Sequence, residues 1–199
     1  MPTIINNNFT LDSHAMRAER LVAIQTNLRS LESEVQTPAE ISAWALHCYS
    51  NYMTKWTESN VAQNEKESAT FNLEQKILIL EEEYQSVRNY AYTIYDTNSN
   101  AFRDFKFDEA FPDDRVSKIA KVNEVLEVYE KQKESGQTPI LPEVLVLKLQ
   151  EAATQFNFAY KEQNSAKNHA RNTTADFRRL MEADAKQLQS LRAWWYAIL

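Results

Sequence analysis

An all-α fold is predicted for this chain of 199 residues. The expected architecture is an elongated helical bundle of two tandem copies of a short-helix, long-helix unit, with the long helices antiparallel and joined by coiled-coil-like seams. Three observations predict it. The chain has a single glycine, Gly136, and five prolines, whereas the tight turns of sheets lean on glycine and Asn-Gly pairs. Apolar residues recur at alternating spacings of three and four, which keeps them on one helix face. Finally, Trp56 to Tyr95 is echoed about 104 positions later by Tyr160 to Leu199, with roughly a quarter of positions identical and no gap. The clearest stretch aligns Gln85-Ser86-Val87-Arg88 with Gln189-Ser190-Leu191-Arg192.

The elements follow in order. Residues 1–11 carry no helical period and read as an arm. The first copy, 12–95, opens with a helix that Asp12 or Ser13 caps. Its stripe is Leu21, Ile24, Leu28, Leu31 and Val35. Thr37-Pro38-Ala39-Glu40 then restarts the chain: threonine caps, proline fills the first helical position, and Glu40 closes a capping box. The second helix meets no stop signal before Asp96-Thr97-Asn98-Ser99-Asn100. Leu73, Ile77, Leu80, Tyr84, Val87, Ala91 and Ile94 form its C-terminal seam, and Ile41, Ala45, Cys48, Tyr52 and Trp56 its N-terminal one.

The polar stretch 57–70 between those seams reads either as a hairpin loop or as continuous helix. It lacks glycine and proline, and Tyr52 to Leu73 and Trp56 to Ile77 are whole heptads apart. Continuity is therefore expected.

A connection rich in aromatics, 96–112, leads to the second copy, 113–199, and the copies are expected to pack as one domain. Its short helix carries Ile119, Val122, Leu126 and Tyr129 at an offset near 98 from the first, and Gly136 sits at a C-terminal cap. The last helix starts at Pro142, the counterpart of Pro38, with Phe177, Met181, Asp184, Leu188, Leu191, Trp195 and Ile198 on its seam. Asp184 replaces Leu80 there; it is expected to be exposed, or paired with a basic residue such as Lys186 or Arg179, with a catalytic role as a remote third reading.

Composition excludes several chemistries. One glycine cannot build a phosphate-binding loop or a dinucleotide fingerprint. Cys48 alone makes no disulfide. None of His14, His47 and His169 follows a glutamate by three residues, which removes the di-metal carboxylate pattern of helical bundles. His47 and Cys48 are neighbours on a helix, so their side chains diverge and form no nucleophile pair. No cofactor and no enzymatic activity are expected. Without an apolar run long enough to span a bilayer, or a charged-then-apolar leader, a cytoplasmic protein is expected. The net charge of −6 argues against nucleic acid as a partner.

Three sets of residues stand out. The repeated motif Glu58-x-Asn60-x-Ala62-x-Asn64 and Glu162-x-Asn164-x-Ala166-x-Asn168 places asparagines on one helix face. There they can fix register, hold a small polar ligand, or line a wet mid-bundle. With Leu73 and Leu80 taken as d, the e positions hold Glu67, Glu74 and Glu81 in one long helix and Arg171, Arg178 and Ala185 in the other. These charges suit an antiparallel e-to-e pairing, or are merely solvated. Phe9, Phe102, Phe105, Phe107 and Phe111, with Trp194, Trp195, Tyr196, Ile198 and Leu199, form candidate apolar interfaces.

Residues 37–100 hold 4 basic and 9 acidic side chains, residues 141–199 hold 8 and 6. Such polarity favours head-to-tail contacts between copies. The expected function is a non-enzymatic structural protein that self-associates into a filament, tube or scaffold. An adaptor or regulatory module docking another protein is the alternative, and a ligand carrier or enzyme using the mid-helix region comes third.

Overall fold

The computed structural model describes residues 13–31, 37–94, 100–136 and 141–198. Every regular element among them is helical: α1 (His14–Leu31), α2 (Ala39–Ile94), α3 (Asn100–Asp104), α4 (Arg115–Glu134) and α5 (Glu143–Ile198). The arm with Phe9, and also Val35 and Leu199, lies outside the described residues.

Both long helices run unbroken for 56 residues through the polar stretches. The backbone hydrogen bonds that start them are equivalent. Ile41 and Ser42 donate to the Pro38 carbonyl, and Leu145 and Val146 donate to that of Pro142. The other caps are mixed. Ser13 Oγ accepts from Met16 N at 3.3 Å, and Asp114 from Ser117 N at 2.9 Å. Gly136 ends α4 in the left-handed region at φ 70°. The threonine cap expected ahead of α2 is not made, because Thr37 Oγ1 is buried with no partner. The carbonyl of Pro38 closes that turn instead.

The chain forms two compact units: Met1–Glu65 with Ala166–Leu199, and Lys66–Ser165. Each unit takes the short helix of one copy, the start of that copy's long helix, and the end of the other copy's long helix. In unit 1, Leu21, Ile24 and Leu28 of α1 pack with Ile41, Ala45, Cys48 and Tyr52 of α2 and Leu188 and Leu191 of α5. In unit 2, Val122, Val125 and Tyr129 of α4 pack with Leu149, Ala152 and Phe156 of α5 and Leu80, Tyr84 and Val87 of α2. Matching positions of the long helices are buried alike: Ala45 with Leu149, Cys48 with Ala152, Tyr52 with Phe156, Leu188 with Tyr84 and Leu191 with Val87. The short helices match at a different offset from the one expected. Val125 rather than Leu126 is fully buried, so the core triad Val122, Val125, Tyr129 repeats the spacing of Leu21, Ile24, Leu28.

Within unit 1 α2 and α5 are antiparallel. In unit 1, Tyr52 meets Phe177, Ser59 meets Thr174 and Glu65 meets His169, so contacts on α5 recede as α2 advances. Each pair must bury an apolar face along its length, and the short helix closes the third side.

From residue 100 onward the connection is not plain loop. It folds into α3 and a turn in which Lys106 takes φ 52°. That turn drives Phe102, Phe105 and Phe107 into the core of unit 2, all nearly fully buried, and leaves Phe111 half-buried, stacked on Tyr84 with centroids 4.1 Å apart. Phe102, Phe105 and Phe107 therefore have no surface left to offer another chain. Aromatic rings of this size gain more by closing the open end of a three-helix core than by staying wet.

Candidate functional site

The most unusual polar group sits in unit 1. Asp184 is only 2% exposed, at the seam position that Leu80 fills in the first copy. Trp44 Nε1 donates to its Oδ1 at 2.8 Å, while Oδ2 is buried without a partner. Burial pushes the carboxyl up to about 6, and the Trp44 bond only partly offsets it. It is thus neither exposed nor paired with Lys186 or Arg179. Arg179 pairs with Asp176 instead. Seam geometry forces this: a residue in register with Leu188 and Leu191 points inward whatever its chemistry.

Around it lies an aromatic and thiol shell. Burial, with Asp184 nearby, pushes the Cys48 thiol up to about 11, which keeps it protonated and non-nucleophilic. His14 stacks on Trp56 with centroids 3.7 Å apart and shares a 3.0 Å hydrogen bond with Tyr52. Burial first, and Arg17 second, hold the imidazole below its ordinary value. His47 is exposed, so it does not join Cys48. Among the described residues, no three His, Cys, Asp or Glu side chains converge as a metal site would need.

The asparagines and glutamates of the repeated motif lie off the helix contact, although its Ala62 is buried in it. Glu58, Asn60, Asn64, Glu162 and Asn168 are exposed and Asn164 is half-buried. Residues beside them meet across the helices instead. Ala62 and Ala170 are buried, Gln63 Nε2 donates to Thr174 Oγ1 at 3.2 Å, and Ser59 shares a 3.4 Å bond with the same hydroxyl. A register role for the asparagines is thereby corrected. Small and hydroxylic residues let the helices approach, and the asparagines fall on the flank.

The charges at the e positions are not paired either. Glu67, Glu74, Arg171 and Arg178 are all exposed, and no ion pair among the described residues includes them. Glu81 instead pairs with Lys118 of α4 at 2.7 Å, since the short helix packs along that side. At the C-terminus, Trp194 and Trp195 are half-buried, with Trp194 packed against the unit 1 core. Tyr196 is exposed under the Arg192 guanidinium, 5.5 Å from its centroid, repeating the Arg88–Tyr92 pair at 5.4 Å. Nothing is described of the Ile198 side chain.

Sequence reasoning missed an outward apolar set on the long helices of unit 2: Phe71, Leu78, Val144, Leu147 and Phe158 are all more than half exposed. A period count could have found them, because they fall opposite the seam. A cavity of about 500 Å³ in unit 1, lined by Glu40, Ile41, Gln187, Ser190 and Trp194 among others, is open to solvent and brings one carboxylate to its wall. Among the described residues no helix is long and apolar enough to cross a membrane. No family model, curated protein or solved structure matches the chain.

Proposed function

We propose that this chain is a non-enzymatic structural protein that associates with copies of itself into a filament, tube or scaffold. The observation that carries the reading is the outward apolar set of unit 2. Phe71 is 65% exposed, Phe158 63% and Val144 66%. Single exposed apolar residues are ordinary, but several on the outer faces of two packed helices mark an association surface. Their counterparts in the other copy are Ala175, Thr54 and Glu40, so the two units offer unlike surfaces. Unlike surfaces make heterologous contacts, which propagate when they do not close.

Negative-stain microscopy and sedimentation velocity of concentrated protein test this reading. Large or polydisperse particles are expected. A strict monomer at high concentration overturns it, and a monomer that captures one other protein transfers the same surface to the adaptor reading.

A further inference from the structure

The outer faces of the two long helices carry opposite charge at equivalent positions, and the docking inferred from this rests on the self-association proposed above. At about 100° per residue, Glu67, Phe71, Glu74, Leu78 and Glu82 share one face of α2, turned away from Leu73, Leu80 and Tyr84. Their counterparts on α5 are Arg171, Ala175, Arg178, Glu182 and Lys186, turned away from Asp184 and Leu188. All ten are exposed. Glutamate at 67, 74 and 82 thus becomes arginine, arginine and lysine at 171, 178 and 186. None of these six side chains joins an ion pair among the described residues.

We propose that the Glu67/Glu74/Glu82 face of α2 in one molecule docks on the Arg171/Arg178/Lys186 face of α5 in a second copy of this chain. The spacings of seven and eight residues agree, so all three pairs can form at once. Phe71 also finds a small residue, Ala175, at the corresponding level of the partner face. Burial of Phe71 supplies adhesion, while the charges select the partner face and the register. A face docking on its own kind would oppose like charges, which disfavours symmetric pairing. The contact joins different faces of identical chains, as open-ended assembly requires.

The test uses full-length protein and charge-reversal sets. E67R/E74R/E82K leaves both faces basic, and R171E/R178E/K186E leaves both acidic. Self-association, read by sedimentation velocity at low salt, should weaken about tenfold or more in each variant. An equimolar mixture should restore assembly, because each variant then meets its complement. Wild-type association should also weaken with salt. Circular dichroism checks that the variants fold. If a reversal set does not, the milder E67Q/E74Q pair should still weaken association in the same direction. Reversals without effect, or a mixture that stays dissociated while wild-type protein assembles, overturn this interface and leave self-association standing. Wild-type protein that stays monomeric overturns both.

Discussion

Trp44 Nε1 donates a hydrogen bond to Asp184 Oδ1 at 2.8 Å, inside a core where the equivalent residue of the other copy is the fully buried Leu80. A carboxylate therefore occupies a leucine position, held by one indole and otherwise unsatisfied. With the carboxyl raised from 3.8 to about 6, the ionised form costs about 3 kcal/mol at neutral pH. Asp184→Leu is accordingly expected to stabilise unit 1 by about 2 kcal/mol at pH 7.5, the lost Trp44 hydrogen bond offsetting about 1 kcal/mol of the gain. Urea unfolding followed by tryptophan fluorescence measures it, since Trp44, Trp56, Trp194 and Trp195 all belong to unit 1. An unchanged or lowered midpoint refutes the assignment.

The same carboxyl gives a pH signature with a definite sign. Its folded value lies above its unfolded one, so its contribution is full below about 4 and lost as pH rises to about 6. His14 works the other way: its lowered value favours the neutral ring, and its contribution is lost as pH falls below the ordinary imidazole value of 6.5. Comparing wild type with Asp184→Asn isolates the first effect, because asparagine keeps an acceptor for Trp44. The stability difference should change between pH 4 and pH 6 and be flat above. A difference independent of pH would place the carboxylate in water.

Tyr84 poses the mirror case in unit 2. It is fully buried, its hydroxyl has no partner, and burial pushes it up to about 12. Tyr84→Phe keeps the ring contacts with Phe107 and Phe111 and should raise stability by up to about 1 kcal/mol. A loss of more than that in thermal unfolding would mean that the hydroxyl is bonded in solution.

Arg88 ties the connection down, donating from Nε to the Phe107 carbonyl at 2.9 Å and from Nη2 to that of Glu109. Arg88→Ala should cost about 1.5–3 kcal/mol and speed hydrogen exchange at residues 102–111. Equal exchange rates in the two proteins would assign those residues' order to the phenylalanines alone.

Two phenylalanines separate folding from association. Phe107→Ala, in the core, should destabilise by about 3–5 kcal/mol. Phe71→Ala should change folding by less than about 0.5 kcal/mol and still reduce self-association. The reverse pattern, in calorimetry and sedimentation on the same samples, would exchange the roles assigned to the two rings.

Most of the architecture was legible in the chain. The glycine scarcity and the unbroken period dictated long helices, because nothing in 57–70 or 161–174 could stop them. The duplication gave equivalent elements, and at the centre of each seam equivalent residues such as Tyr52 and Phe156, or Val87 and Leu191, are buried alike. Local patterning could not say which parts of the copies associate. Each unit joins the start of one long helix to the end of the other, a choice made by which apolar faces fill a common core. That choice took Phe102, Phe105 and Phe107 out of the candidate interface, turned Glu81 toward Lys118, and left Glu67, Glu74, Arg171 and Arg178 outside. It also buried Asp184 against Trp44, where sequence chemistry called for water or a base. Helical periods act over a turn or two and can be read along the chain. Partners across a core are set by volume and burial among distant residues, and only the folded arrangement decides them.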